Sequence, residues 1–148
     1  MPQVFVLDAS VAGKWYLNDE DLIEQAEKLL KDLLLKKIEL HAPVLLKYEI
    51  AQVLYKAQRF SRRIRSKDCQ DAYKSFCALP IIYHSLDIKM MQEILNFAIS
   101  FNKSFYDSCY IYLAKKLNCR WITDDREYEK RLPKNFPKER ILMLKAFK

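Results

Sequence analysis

The chain is poor in glycine and histidine. Gly13 is the only glycine among 148 residues, and His41 and His84 are the only histidines. Phosphate-binding loops and dinucleotide-binding turns need several glycines at fixed spacing, because only glycine lets the backbone approach a phosphate so closely. A single glycine excludes both kinds of site, and two histidines argue against catalysis by a histidine acid–base pair.

Cysteine spacing and the lack of long apolar runs exclude further classes. The four cysteines form no CxxC or other zinc-binding spacing; they are Cys69, Cys77, Cys109 and Cys119. We interpret them as reduced, small apolar residues. No apolar stretch is long enough to cross a membrane, and no basic segment of a signal peptide opens the chain. We therefore expect a cytoplasmic protein without membrane contact.

The composition is that of a folded, basic domain. Hydrophobic residues make up 51% of the chain, which is enough for a core, and the length suits a single domain over residues 1–148. The net charge is +7, which favours a polyanionic partner such as nucleic acid. The alternative is a solvated, lysine-rich surface, which charge alone does not distinguish.

Short apolar runs alternate with amphipathic stretches. This pattern predicts an α/β fold with three layers (α/β/α) around a mainly parallel sheet. The predicted strands are Gln3–Leu7, Ile38–His41, Ile81–His84, Arg120–Thr123 and Arg140–Phe147. The predicted helices are a short one from Ser10, then Asp21–Lys36, Pro43–Gln58, Arg62–Leu79, Leu86–Phe101, Tyr106–Leu117 and Glu127–Arg131.

Four acidic residues occupy positions that normally face a core or end a strand. Asp8 and Asp125 each close an apolar run, and Glu49 and Asp107 lie on apolar faces of predicted helices. A buried carboxylate is costly unless a partner neutralises it. Mg²⁺ and Mn²⁺ prefer oxygen ligands, and such an ion would activate water and stabilise charge on a phosphodiester. The pattern therefore favours a metal-dependent nuclease.

Each acid also has a purely structural interpretation. Asp8 could cap the helix that follows it, although Ser10 offers a competing cap. Ser104 and Asp107 fit a capping box, with the serine as the cap. One residue of the acidic pair that ends with Asp125 is expected to cap the next helix. These alternatives stay open from the sequence alone.

Four stretches spread over the chain resemble the PIN domain, and within it the VapC-type toxins of prokaryotic toxin–antitoxin pairs. They are VFVLDASVAGKWYL at Val4–Leu17, APVLLKYEIAQVL at Ala42–Leu54, YDSCYIYLAKKLNC at Tyr106–Cys119 and WITDD at Trp121–Asp125. The resemblance implies a PIN-like fold, a Mg²⁺- or Mn²⁺-dependent endoribonuclease and a small antitoxin protein as partner. It also implies a homodimer, for which spare apolar surface on the helices at Asp21–Lys36 and Ala42–Gln58 is a candidate.

The same resemblance assigns roles by position. Asp8, Glu49, Asp107 and Asp125 correspond to the four metal-binding and catalytic acids. Three further residues are implied in supporting roles: Ser10, Thr123 and Asp124. Gln52 departs from the family pattern, which often has Asn there, and we expect little effect.

The densest basic run predicts an RNA contact. Arg59, Arg62, Arg63 and Arg65 lie between two predicted helices, where they could bind RNA phosphates; the alternative is an exposed, solvated helix start. Lys14 is a further candidate for the groove, or a plain surface lysine.

Other functions remain as alternatives. One is an RNA-processing PIN nuclease without a toxin role, and another is a non-catalytic PIN-like module that binds RNA or protein. A phospho-accepting receiver domain also clusters aspartates, but the chain lacks the pattern that such a domain requires.

Overall fold

The centre of the molecule is a five-stranded parallel sheet. A computed structural model describes residues 1–148, and the sheet has the order β3-β2-β1-β4-β5 with every neighbouring pair parallel. The strands are β1 (Gln3–Leu7), β2 (Ile38–Pro43), β3 (Ile82–His84), β4 (Arg120–Thr123) and β5 (Ile141–Met143). Parallel strands are covered on both faces, so the central β1 is apolar without alternation: Phe5, Val6 and Leu7 are buried.

Seven α-helices flank this sheet. They are α1 (Ala9–Ala12), α2 (Ile23–Leu34), α3 (Leu45–Arg59), α4 (Ser66–Cys77), α5 (Ile88–Phe101), α6 (Phe105–Lys116) and α7 (Arg126–Lys130). Helix α6 packs against β1, β2 and β4, and α5 packs against α6. The predicted three-layer fold is confirmed. None of the helices combines the length and the apolar character that crossing a membrane requires.

The prediction that Pro43 opens a helix is wrong. Pro43 is the last residue of β2, where it is in register with His84 of β3, and α3 begins at Leu45. The amide of Val44 donates the hydrogen bond to the carbonyl oxygen of His84, at 3.0 Å. The missing N–H of proline therefore leaves this bond intact at the strand end.

Two other predicted elements are shorter than expected. The last strand ends at Met143 rather than Phe147, because the amide of Phe147 bonds to the carbonyl of Leu144 and closes a 3₁₀ turn. Helix α4 begins at Ser66 rather than Arg62, whose φ of 50° lies in the left-handed region. A non-glycine residue in that conformation interrupts a helix.

A row of large apolar side chains on α5 faces solvent. Ile88, Met91, Leu95 and Ile99 are 45–78% exposed, and their spacing of three and four residues places them on one helix face. Ile94 and Ala98, on the neighbouring face of the helix, are buried. Helices α2 and α3 also carry exposed apolar residues, among them Leu34 and Tyr55.

The topology brings the ends of β1 and β4 side by side. The chain runs from β1 outward through β2 to β3, and then returns to the other side of β1 for β4 and β5. Ligands of open parallel sheets bind beyond the carboxyl ends of the strands at such a reversal. Asp8 follows β1 at this point, and its amide donates to the carbonyl of Ile122 in β4 at 3.1 Å.

Candidate active site

Asp8 is the most enclosed acid of the site. It caps α1, so its predicted capping role is present and the helix begins at Ala9 rather than at Ser10. Its carboxylate is almost fully buried. The Oδ2 atom accepts from the Ser10 hydroxyl at 2.5 Å and from the Thr123 hydroxyl at 2.9 Å, with a long contact of 3.4 Å from the Ser10 amide.

The two hydroxyls also bind the backbone that follows β4. The Ser10 Oγ atom accepts from the amide of Asp124 at 2.9 Å, and the Thr123 Oγ1 atom accepts from the amide of Asp125 at 3.1 Å. Each hydroxyl therefore accepts a hydrogen bond from a backbone amide after β4 and donates one to the carboxylate of Asp8 after β1. This arrangement fixes the positions of Asp8 and Asp125 relative to each other.

Glu49 enters the site from α3, bound to a residue that the sequence did not single out for function. The buried face of α3 carries Leu46 and Ile50, and Glu49 lies half-buried beside it. The Tyr110 hydroxyl donates to Glu49 Oε1 at 2.5 Å. Tyr110 is fully buried, and a buried tyrosine normally finds a partner for its hydroxyl. This requirement could have indicated from the sequence that Tyr110 binds a polar residue of the site.

Asp107 and Asp125 both occupy helix N-termini. The amide of Asp107 donates to the Ser104 hydroxyl, the cap of α6, at 3.0 Å. Asp125 caps α7, with its Oδ1 atom accepting from the amide of Tyr128 at 3.0 Å. The caps at Ser104 and Asp125 are therefore present, and the second one fixes one oxygen of the Asp125 carboxylate.

Burial and mutual repulsion perturb the acids. Burial raises the pKa of Asp8 from its ordinary 3.8 to about 7, against the hydrogen bonds from Ser10 and Thr123, and the charges of Glu49 and Asp107 add to the rise. Burial also raises the pKa of Glu49, with a further contribution from Asp107. The pKa of Asp107 is raised chiefly by burial and also by the charge of Asp125. All four predicted acids therefore lie within electrostatic reach of at least one other.

The fixed acids keep one carboxylate oxygen each without a hydrogen bond. These atoms are Oδ1 of Asp8, Oε2 of Glu49 and Oδ2 of Asp125, because the bonds described above all reach the other oxygen. No three His, Cys, Asp or Glu side chains come close enough together to hold an ion by themselves. Mg²⁺ commonly keeps several waters and takes one or two carboxylates directly, and the donor set fits such a hydrated ion rather than a closed cage of four ligands.

Lys14 is neither a groove residue nor a surface lysine. Only 5% of it is exposed, and its ammonium group lies 3.0 Å from Asp124 Oδ2 and 3.0 Å from Asp21 Oδ1. A buried ammonium requires such partners. The expectation that Lys14 binds RNA is corrected accordingly. Asp124 is held by this ion pair, with its carboxylate turned to Lys14.

The predicted arginines divide into free and paired ones. Arg59 and Arg62 are exposed and make no ion pair. Arg65 pairs with Asp68 of its own helix start at 2.9 Å. Arg63 binds Asp19 and Glu20, at 2.5 and 2.9 Å for its Nη2 atom.

Comparison with known proteins identifies the family. The family model described as the PIN domain matches residues 5–132. The chain belongs to the PIN domain family. A curated relative, Ribonuclease VapC3 of Pyrobaculum aerophilum, is 29% identical over 133 residues, which is 86% of this chain and 94% of that protein.

Solved structures share the fold at lower identity. PAE2754 from Pyrobaculum aerophilum has a TM-score of 0.65 at 19% identity, over 98% of this chain and 91% of that one. Mycobacterium tuberculosis VapC20, a sarcin–ricin loop cleaving toxin, has a TM-score of 0.62 at 11% identity, over 91% and 100%. VapBC2 from Rickettsia felis, bound to a promoter DNA fragment, has a TM-score of 0.63 at 11% identity, over 95% and 98%.

The raised pKa of Asp8 predicts a falling stability with rising pH in metal-free protein. A carboxyl whose pKa is higher in the folded state stabilises the fold fully below the unfolded pKa, and this contribution is lost as pH rises through the folded pKa. The window for Asp8 runs from about 3.8 to about 7. Urea unfolding in EDTA should therefore show a smaller free energy of unfolding at pH 8 than at pH 5.

The Asp8→Asn variant is the control for this prediction. Asparagine keeps the acceptor for Ser10 and Thr123 and removes the titrating group, so the loss between pH 5 and pH 8 should shrink. Glu49 and Asp107 shift in the same direction, so some dependence should persist. An unchanged loss in the variant would contradict the assignment to Asp8.

Proposed function

We propose that this PIN domain is a metal-dependent endoribonuclease that acts as the toxin of a toxin–antitoxin pair in the cytoplasm. One observation carries the nuclease assignment. Carboxylates from four separate segments lie within electrostatic reach of one another, and three of them are fixed through one oxygen while the other oxygen accepts no hydrogen bond. Such a costly arrangement of anions calls for a cation.

The proposed cation ligands are Asp8, Glu49, Asp107 and Asp125, directly or through water. A divalent cation, Mg²⁺ or Mn²⁺, supplies water of lowered pKa and neutralises charge that develops on a phosphodiester. Asp8 is the anchor, because Ser10 and Thr123 fix its orientation before any ion binds.

The protein's own groups also orient the other acids. Tyr110 fixes one oxygen of Glu49 and leaves the second without a hydrogen bond. The helix cap at Asp125 does the same with the amide of Tyr128. Prepositioned ligands lower the entropy cost of forming the reactive complex.

The toxin role rests on the relatives. Ribonuclease VapC3 matches nearly the whole chain, and VapC20 is described as cleaving the sarcin–ricin loop. The VapBC2 structure is a toxin–antitoxin complex, which supports a small antitoxin protein as the partner here. An RNA-processing nuclease without an antitoxin is the second candidate, and the same acids would serve it.

RNA binding near the site is proposed for exposed arginines. Arg59 and Arg62 face solvent without an ion pair, and the basic net charge of +7 favours a polyanion. A phosphate contact there would hold the RNA while the acids act on one bond.

Metal-dependent cleavage tests the nuclease assignment. Metal-stripped protein should cleave labelled structured RNA only when Mn²⁺ is added, and Asp8→Asn should reduce the rate at least about 100-fold, because the anchoring anion is lost. Lys14 and its partners are unchanged in that variant, so circular dichroism should show a native fold. Cleavage that survives in Asp8→Asn would indicate a contaminating nuclease.

We also propose that a second copy of this chain covers the exposed row on α5. Four large apolar side chains on one helix face lose contact with water if two copies pack through it, and a twofold interface uses the same patch on both copies. Ile88, Met91, Leu95 and Ile99 form that patch.

Light scattering of a charged variant tests the dimer. Leu95→Lys should give a monomer, because it places two ammonium groups in the interface. Leu34→Lys is the matched control, since Leu34 is an exposed leucine on α2 with 57% exposure against 49% for Leu95. A wild-type monomer, or equal effects of both variants, would contradict an interface through α5.

A further inference from the structure

An acidic segment near the site forms ion pairs with three different basic side chains. The segment Asp19–Asp21 lies between the 3₁₀ turn after α1 and the start of α2. Asp19 and Glu20 bind Arg63. Asp21 binds Lys14 at 3.0 Å and Arg126 at 2.5 Å.

The two arginines come from distant parts of the chain. Arg63 belongs to the loop between α3 and α4, and Arg126 is the first residue of α7, immediately after the site acid Asp125. Arg126 also approaches Asp124 Oδ1, at 3.6 Å. The acidic segment therefore joins two basic groups that are more than 60 positions apart in the sequence, next to the carboxylates.

A polar cavity lies beside one of these arginines. Arg62, Arg63 and Arg65 line a cavity of about 410 Å³ together with Tyr16 and Asn18, and with Ile64 and Asp68. Arginine forks bind carboxylates and phosphates with the same bidentate geometry. Arg63 already uses its Nε and Nη2 atoms in this way, with Asp19.

We propose that Arg62, Arg63 and Arg126 form a phosphate-binding surface for RNA, and that the segment Asp19–Asp21 occupies it in the free protein and is displaced when RNA binds. This inference rests on the proposed ribonuclease function, because it names how the substrate reaches the site. In the free protein, the acidic side chains occupy the positions on Arg63 and Arg126 that RNA phosphates would take.

The contacts are suited to exchange with an RNA backbone. Asp19, Asp21 and Arg126 are each at least half exposed in their side chains, and Arg63 and Glu20 are about one third exposed. Water and salt reach such ion pairs and screen them, so they add little to stability. A single-stranded RNA offers phosphates in series and gains entropy by releasing counterions. Lys14 is buried and remains available to hold Asp21, so the segment stays tethered when the arginines change partner.

RNA affinity of charge-neutralised variants tests the displacement. Binding of a labelled RNA is measured by fluorescence anisotropy in EDTA, so that cleavage plays no part. Asp19→Asn combined with Glu20→Gln should bind at least about threefold tighter than wild type, because Arg63 no longer has an internal competitor. Adding Arg63→Gln to that variant should remove the gain.

A control variant carries the same change in net charge elsewhere. Glu24→Gln combined with Glu27→Gln neutralises two acids of α2 that make no ion pair, and it should bind RNA with nearly wild-type affinity. Equal tightening by both double variants would overturn the proposal, because it would reflect net charge alone. Weaker or unchanged binding by the Asp19 and Glu20 variant would also overturn it.

The outcomes separate this proposal from the proposed function. If wild type binds RNA and the Asp19 and Glu20 variant gains nothing, the displacement fails while the ribonuclease assignment stands. If no form binds RNA in EDTA while thermal melts show all of them folded, the displacement fails, and the separate assay of Mn²⁺-dependent cleavage decides the ribonuclease assignment. Arg126→Gln should weaken binding by wild type, and an unchanged affinity would remove that arginine from the surface.

Discussion

The site depends on the hydrogen bonds that hold the buried carboxylate of Asp8. Ser10 and Thr123 each donate to one oxygen of Asp8, and each accepts an amide that follows β4. These bonds join the ends of two central strands at the point where the sheet order reverses. They leave the second oxygen of Asp8 without a partner in an environment that raises the pKa to about 7. The other acids repel that charge, so a bound cation would relieve this repulsion.

Most of the architecture could be predicted from sequence. The strands Gln3–Leu7 and Arg120–Thr123 match the prediction, because buried parallel strands are short, apolar and free of competing helical periodicity. Helix ends were less accurate. Proline suits both a strand end and a first helical turn, so Pro43 alone could not be assigned. The left-handed conformation of Arg62 likewise has no marker in its residue type.

Long-range charge pairing explains the site residues that the sequence misplaced. A lysine such as Lys14 is normally exposed, and its burial depends on Asp21 and Asp124, which lie 7 and 110 positions away. Similarly, the ion pairs of Arg63 could not be predicted, because its partners come from a segment 43 or 44 positions earlier. Composition and local sequence pattern contain no information about such contacts. The four acids could be predicted as site residues because each lies in a recognisable local pattern.

The central claim is that Asp8 lies at a divalent cation site. Isothermal titration calorimetry with Mn²⁺ at pH 7.5 tests it without any substrate, on wild type and on Asp8→Asn. We expect saturable binding by wild type, with proton release because Asp8 is partly protonated near its pKa of about 7, and binding that is lost or at least about tenfold weaker in the variant. Equal binding by both proteins, or no binding by either folded protein, would contradict the account.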